Sequence, residues 1–89
     1  MNVLFDASFD KSVQKLKNPQ LHQRLWDIVL ALEQASTLSE IAHVKKMEGS
    51  KTFYRVRIGH YRLGFELIAP DTLNLVMVAH RKEIYRYFP

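Results

Sequence analysis

The chain contains no cysteine, only three glycines and three prolines, and no long apolar run. The lack of cysteine excludes disulfide bonds, thiolate zinc sites and cysteine nucleophiles, and it favours a reducing compartment such as the cytoplasm. Every apolar run is far shorter than the roughly 20 residues of a membrane-spanning helix, so we expect no membrane partner. The scarce glycines form neither a phosphate-binding loop nor a Gly-x-Ser-x-Gly nucleophile motif.

What is present predicts one small globular domain over residues 1–89. The chain is 47% hydrophobic and 25% charged, which excludes a disordered chain or a fibre. The net charge of +4 is unevenly placed, because residues 1–43 have a net charge of −1 and residues 44–89 have +5. Seven of the ten aromatic residues also lie in this basic half. Interleaved basic and aromatic residues suit single-stranded nucleic acid, although a sheet with a solvated basic face has the same composition.

The first half of the chain has the apolar spacing of two helices. Asp6 or Ser8 can cap a first helix, and Asn18 followed by Pro19 is the start signal of a second. Apolar residues then recur at helical spacing as far as Leu32, which predicts an amphipathic helical hairpin. The residues expected in its core include Leu16, Leu25 and Trp26.

From residue 44 the hydrophobic pattern changes to a period of two, which indicates strands. Strands are expected at residues 44–47, 53–58, 61–68 and 73–79, after a short strand at residues 3–5 and a connection at residues 36–43. The element order is β-α-α-β-β-β with a short C-terminal tail or helix. The predicted fold class is therefore α+β, with an N-terminal strand and a helical hairpin packed on a mainly antiparallel four-stranded sheet.

A Gly-His turn at residues 59–60 would determine how the two flanking strands pair. It sets Arg57 opposite Arg62 and Arg55 opposite Gly64, so that the three arginines share one face of the sheet. Like charges directly opposite each other are destabilising by up to about 1 kcal/mol. A bound polyanion is the expected compensation, because guanidinium groups can hold phosphate oxygens bidentately.

Other features bear on the use of this basic face. Glu48 and Glu66 could instead neutralise the arginines in a surface ion-pair network. Gly64, which has no side chain, could leave a gap where a backbone or a base approaches. The end of the last long strand can bring Arg81 to the same face, with Tyr85 close behind, where arginines would stabilise a phosphorane-like transition state. The four histidines have no ligand-like spacing and no carboxylate cluster accompanies them, so no metal is expected. No other cofactor is expected either.

Three stretches of the second half resemble the RelE/ParE superfamily of bacterial toxins. They are residues 44–49 (Val-Lys-Lys-Met-Glu-Gly), 54–63 (Tyr-Arg-Val-Arg-Ile-Gly-His-Tyr-Arg-Leu) and 78–86 (Val-Ala-His-Arg-Lys-Glu-Ile-Tyr-Arg). The most specific parts are the Gly-x-Tyr-Arg turn and the His-Arg-x-x-x-Tyr ending. The resemblance implies one half of a toxin–antitoxin pair. RelE-type members cut mRNA in the ribosomal A site without a metal, by attack of a nucleotide's own 2′-hydroxyl on the adjacent phosphate.

The resemblance also implies roles for individual residues. It assigns Arg62 and Arg81 to phosphate binding and transition-state stabilisation, and Tyr85 to contact with the substrate base. Tyr87 could take the role of Tyr85 instead, because the spacing from Arg81 to Tyr85 is compact compared with some members. Arg55 and Arg57 stand where RelE-type members commonly have lysines, and arginine is a poor general base because it does not readily lose a proton. The candidates for acid–base chemistry are Glu83, His80 and Tyr85. The remaining candidate substrate-binding residues are Lys45, Lys46, His80, Lys82 and Tyr87.

The partners and the alternative functions follow from the same resemblance. The expected partners are a cognate antitoxin protein, the ribosome and mRNA, with operator DNA reached only through the antitoxin. The ParE branch shares the fold but inhibits DNA gyrase as a protein binder, and a third possibility is an inactive member that binds antitoxin as a corepressor. The presence of Arg62, Arg81 and a terminal tyrosine together favours the ribonuclease.

Overall fold

Five strands and three α-helices form in a computed structural model that describes residues 1–89. The elements are β1 (Asn2–Phe5), α1 (Ala7–Gln14), α2 (Pro19–Gln34), β2 (Val44–Lys46), β3 (Phe53–Ile58), β4 (Tyr61–Ala69), β5 (Thr72–His80) and α3 (Ile84–Tyr87). A 3₁₀ turn at Leu38–Glu40 interrupts the predicted connection before β2. None of the helices combines the length and the apolar character that a membrane span requires.

Both long helices begin where the capping residues predict. Asp6 caps α1, since its carboxylate accepts a hydrogen bond of 3.0 Å from the backbone N–H of Ser8. Asn18 caps α2 by accepting a hydrogen bond of 2.9 Å from the N–H of Gln20, and Pro19 is the first helical residue. These caps satisfy backbone donors that have no partner inside the helix. The predicted helical hairpin is confirmed.

The helical hairpin of α1 and α2 packs its apolar residues on one face of the sheet. Leu25 is fully buried there and Leu16 is partly buried, as predicted. The prediction of Trp26 as a core residue is wrong, because this side chain is 43% exposed. Trp26 follows Leu25 directly and so points about 100° away from it around the helix. Its ring stands edge-on to Phe9, with centroids 6.1 Å apart, and lies 6.3 Å from the ring of Phe5.

The sheet contains all five strands in the order β1-β5-β4-β3-β2. The α+β fold class is confirmed, and one detail differs: the N-terminal strand joins the sheet as a fifth strand, parallel to β5. The N–H of Asn2 donates to the carbonyl of Asp71 at 2.7 Å, and that of Asp6 donates to Leu75 at 2.9 Å. Pairing satisfies backbone groups that would otherwise lack partners at this edge. The other neighbouring strands are antiparallel.

The register of the β3–β4 hairpin is the predicted one. Arg57 pairs with Arg62, and Arg55 pairs with Gly64. Gly59 in the turn has a φ of +61°, in the left-handed region that glycine adopts without a steric penalty. The basic side chains of β3 and β4 therefore lie on the face that the helical hairpin leaves free.

Helix α1 closes the half of β5 that β1 does not reach. Strand β1 pairs with β5 only as far as Leu75. Beyond that point the hydroxyl of Ser8 donates to the carbonyl of Val76 at 2.6 Å and shares its one proton with the carboxylate of Asp6. The hydroxyl of Ser12 accepts from the N–H of Val78 at 3.0 Å. Two serines one helical turn apart thus replace the missing strand.

A second, smaller core lies on the opposite face of the sheet. Met47, Ile84 and Phe88 are buried in it, so the short α3 is anchored at both ends. A Cβ added to Gly64 would lie only 2.7 Å from the ring of Phe88. The prediction of a gap beside Gly64 for a backbone or a base is therefore wrong, because the ring of Phe88 fills that space.

Candidate active site

Three arginines of two neighbouring strands, and a fourth that follows a third strand, lie together at one end of the sheet. Arg55 and Arg57 belong to β3, Arg62 to β4, and Arg81 follows β5 directly. The N–H of Arg81 donates to the carbonyl of His60 at 2.8 Å, which ties the end of β5 to the hairpin turn. We call these four residues the arginine cluster.

Two adjoining surface cavities of about 300 and 400 Å³ open on the arginine cluster. They share His43, Arg57 and Arg62. The first is also lined by Val44, Lys45 and Arg55, and the second by Arg24, Gly59, His60 and Arg81. No carboxylate lines either cavity. Cavities whose polar lining is cationic or imidazole are suited to an anion.

Arg62 is held firmly by the hairpin turn. Its Nη1 donates to the carbonyls of Gly59 and Tyr61, both at 2.9 Å. Its Nε is buried and has no hydrogen-bond partner in the protein. A buried donor without a partner costs about 1–3 kcal/mol, and more when the group is charged. An anion oxygen that reached this nitrogen would offset the cost.

Burial and charge repulsion both act on Arg62. Burial is the main cause that lowers the pKa of Arg62 below its usual value, and the positive charge of Arg55 is the next lowering cause. Tyr85 acts in the opposite direction, while Arg57 and Arg81 lower the pKa of Arg62 further. The positive charge of Arg62 is therefore less stable in the folded protein than in water, because burial and the neighbouring arginines both disfavour it.

The chain's own glutamates do not relieve this repulsion. Neither Glu48 nor Glu66 lines the cavities, and neither is among the groups that shift the pKa of Arg62. The carboxylate of Glu66 accepts a hydrogen bond of 3.3 Å from the hydroxyl of Thr52 instead. The ion-pair network that we considered as an alternative is thus not formed around Arg62.

His43 forms a polar contact with the cluster that the sequence did not indicate. Its Nδ1 lies 3.1 Å from Nη2 of Arg57. The backbone of His43 has a φ of 65°, which is uncommon for a residue with a side chain. This conformation comes directly before β2, in the segment that the sequence predicted as a plain connection.

Two further residues of the second cavity, Arg24 and His60, were not among the predicted site residues. A Cβ added to Gly59 would lie 3.0 Å from Nη1 of Arg24, so this side chain of α2 rests against the hairpin turn. His60 belongs to the turn itself, and its neighbour Arg62 was a signal that could have identified it. Arg24 carried no such signal, because its contact depends on how α2 packs against the sheet.

Comparison with known proteins identifies the family. No protein-family model matches the chain. The toxin RelE3 of Methanocaldococcus jannaschii is 34% identical over 90 residues, an alignment that covers all of both chains. The chain belongs to the RelE family of RelBE-type toxins. The resemblance to the RelE/ParE superfamily is confirmed.

Solved structures of RelE-family complexes have the same fold. A chain of the RelB–RelE antitoxin–toxin complex from Methanococcus jannaschii has a TM-score of 0.81 and 32% identity, over 97% of this chain and 99% of that one. A chain of the intact E. coli RelBE complex has a TM-score of 0.69 and 17% identity, over 89% and 94% of the two chains. The second likeness is one of fold alone.

The residues that the RelE resemblance singled out fall into three groups: some line the two cavities, some line a separate groove, and Lys46, Lys82 and Tyr85 line neither. Tyr85 of α3 is 58% exposed and near enough to influence Arg62. Lys46 and Lys82 are exposed and line neither cavity. Those that line the two cavities are Lys45, Arg55, Arg57, Arg62 and Arg81. Those that line a separate groove of about 570 Å³ between α1 and the end of β5 are His80, Glu83 and Tyr87.

His80 has its polar and aromatic contacts outside the arginine cluster. Its Nδ1 accepts a hydrogen bond of 3.1 Å from the N–H of Lys82. Its ring stacks on His60 with centroids 6.2 Å apart and stands edge-on to Tyr61 at 5.4 Å. No group of three or more His, Cys, Asp or Glu side chains is arranged to hold a metal ion.

Proposed function

We propose that this RelE-family protein is an endoribonuclease that cuts mRNA in the ribosomal A site. The observation that carries the proposal is the pair of adjoining cavities whose charged lining is entirely cationic. Guanidinium groups bind phosphate oxygens in a bidentate geometry, and RNA presents a phosphate at every nucleotide. Membership of the RelE family supports the reaction class.

The proposed reaction is an internal transesterification of the RNA that needs no metal ion. The 2′ oxygen of one nucleotide bonds to the adjacent phosphorus, and the bond from phosphorus to the 5′ oxygen of the next nucleotide breaks. The products are a 2′,3′-cyclic phosphate and a 5′-hydroxyl. Negative charge develops on the phosphate oxygens, and cations already in place stabilise it.

Five residues have assigned roles in this proposal. Arg62 and Arg81 bind the phosphate under attack, because both line the second cavity. Lys45 and Arg55 line the first cavity and bind a neighbouring phosphate. Tyr85 contacts the base from the exposed side of α3.

The proposed partners are the ribosome with its mRNA and a cognate antitoxin. The ribosome supplies the mRNA in an extended form with the A-site codon accessible. The antitoxin complexes solved for relatives support an antitoxin for this chain as well. An acidic antitoxin segment would neutralise the arginine cluster, and operator DNA would be bound only through the antitoxin.

The test is cleavage of a defined mRNA by the purified protein on translating ribosomes. We expect cuts at the A-site codon that leave a 2′,3′-cyclic phosphate. Arg81→Ala should lower the cleavage rate by about 10²–10³-fold, the usual effect of removing one transition-state donor. Its fold should be retained, because Arg81 is exposed. Lys17→Gln, which removes an exposed charge between α1 and α2, is the matched control and should cut normally.

Two results would contradict the proposal. If the native protein does not cut mRNA but inhibits supercoiling by gyrase, the ParE-type function replaces it. If it does neither and only alters repression together with an antitoxin, the corepressor function replaces it. Full activity of Arg81→Ala would overturn the assignment of the site.

A further inference from the structure

The proposed cleavage needs a base for the 2′-hydroxyl, and the arginine cluster contains none, because arginine stays protonated in proteins. Two of the candidates that the sequence offered, His80 and Glu83, line the groove beside α1 instead of the two cavities. The third, Tyr85, lines neither cavity. Of the side chains that do line them, His43 and His60 are the ones whose type changes charge near neutral pH.

The contact with Arg57 distinguishes His43 from His60. Nη2 of Arg57 lies 3.1 Å from Nδ1 of His43. A guanidinium group has donors and no acceptor, so Nδ1 must be the acceptor and must carry a lone pair. The lone pair of Nδ1 is therefore directed at Arg57, which lines both cavities. His60 has no such partner, and its ring stacks on His80.

The position of His43 also suits a base. It is one of the three residues that line both cavities, so it lies where a phosphate in one cavity and a sugar in the other would meet. The charged and titratable groups that line the cavities with it are Arg24 of α2, Lys45 of β2, Arg55 and Arg57 of β3, His60 of the turn, Arg62 of β4 and Arg81 after β5.

We propose that His43 is the general base of the cleavage reaction, an inference that rests on the proposed function. A phosphate in the cavity draws Arg57 away from His43, because a charge-assisted bond to phosphate is stronger than one to a neutral imidazole. Nδ1 then takes the proton of the 2′-hydroxyl while the 2′ oxygen bonds to phosphorus. The 5′ oxygen leaves with the bonding electron pair and takes a proton from water. His43 later returns its proton to solvent.

His43→Gln separates this role from a positioning role. The glutamine carbonyl can still accept a hydrogen bond from Arg57, but it cannot take up a proton at neutral pH. We expect the single-turnover cleavage rate to fall by about 10²–10⁴-fold, the usual contribution of a general base. Binding of mRNA with a 2′-deoxy nucleotide at the cut site should be unchanged. His43→Asn is a second variant that tolerates the left-handed backbone and should behave alike.

The pH dependence gives an independent readout. A general base must be unprotonated to act, so the cleavage rate of the native protein should rise with pH, and this rise should be absent from His43→Gln. His22→Gln is the matched control. His22 lies on α2, where its Nε2 is 2.7 Å from the carbonyl of Leu16, and it lines neither cavity. This variant should keep the native rate and profile.

The possible failures can be told apart. A native rate and pH profile in His43→Gln would overturn the proposal, because His43 would then only position Arg57. An equal loss of rate and of binding to the 2′-deoxy mRNA would also overturn it. Failure of the proposed function would appear differently, as a lack of cutting by the native protein, and would remove the need for a base altogether.

Discussion

Arg57 and Arg62 are directly opposite each other in the ladder between β3 and β4. Like charges in this relation destabilise a sheet, by up to about 1 kcal/mol. Arg62 is also partly buried, with its Nε left unpaired. The β3–β4 hairpin is therefore destabilised where the two cavities meet, because Arg57 and Arg62 line both of them. The two facing charges lower the stability of the fold and favour the binding of an anion. The loss of stability can be measured by removing one of the charges.

We predict that Arg57→Gln stabilises the free protein by about 0.5–1 kcal/mol at low ionic strength, because it removes one of the two facing charges. Glutamine can still donate a hydrogen bond to His43. The gain should shrink in 1 M salt, where the screening length is about 3 Å. Thermal unfolding at both salt concentrations is the measurement, and Lys17→Gln is the charge-matched control. A melting temperature below that of the native protein at low salt would contradict the prediction.

Gly64→Ala should destabilise the protein by about 1–3 kcal/mol, the typical cost of overpacking. The new Cβ would lie 2.7 Å from the ring of Phe88, so the ring must move. In the background Phe88→Ala the same substitution should cost much less, because the obstructing ring is gone. Urea unfolding of the native, single and double variants gives this coupling directly. Additive losses would show that the contact between Gly64 and Phe88 is unimportant.

Ser12→Ala should destabilise the protein by about 1–3 kcal/mol, because it leaves the N–H of Val78 without a partner at a covered edge. The hydroxyl of Ser12 accepts from this N–H at 3.0 Å and donates to the carbonyl of Phe9 at 2.7 Å. Hydrogen exchange of the Val78 amide should accelerate in the variant. Ser39→Ala, on the exposed 3₁₀ turn, is the control and should have little effect. Unchanged protection of Val78 would mean that another group occupies the edge.

Acid should remove the contribution of Asp6 to stability. The hydroxyl and then the N–H of Ser8 are the main causes that lower the pKa of Asp6 from its ordinary value of 3.8. A carboxylate with a depressed pKa in the folded state stabilises the fold fully above its unfolded pKa, and the effect is lost as the pH falls through the folded pKa. Asp6→Ala should therefore melt below the native protein at pH 7, and the difference should narrow as the pH falls below about 4.

Asp6→Asn is the matched control for this titration. Asparagine caps a helix about as well as aspartate but does not ionise, so its melting temperature should depend less on acid than that of the native protein. A difference between Asp6→Ala and the native protein that stayed constant from pH 7 to pH 2.5 would show that ionised Asp6 is not involved.

Local features of the fold and site were predictable from the sequence. Asp6 and Asn18 predict where α1 and α2 begin, because capping depends only on residues within one helical turn. The two-residue turn at Gly59 determines the register of its hairpin, so the pairing of Arg57 with Arg62 follows from the residue count alone. The basic face of the candidate site was thus predictable, because alternation places neighbouring arginines of a strand on one side.

The remaining contacts join residues that are distant along the chain. The bond between His43 and Arg57 depends on a left-handed backbone for which the histidine type is only a weak signal. Arg24 reaches Gly59 because α2 packs against β3, the strand that leads into the turn. Phe88 fills the space over Gly64 because the chain turns back after β5. Periodicity describes which face a residue occupies and contains no information about such crossings.

The half-exposed ring of Trp26 makes tryptophan fluorescence a probe of unfolding in this protein. It is the only tryptophan in the chain, and it lies against Phe5 and Phe9 where β1, α1 and α2 meet. Its emission therefore reports on the cohesion of that junction. The ring belongs to the helical layer, whereas the paired arginines lie on the other side of the sheet. Fluorescence can thus follow unfolding of the helical layer without a label. Anion binding at the arginines can be followed separately, because they lie on the other face of the sheet.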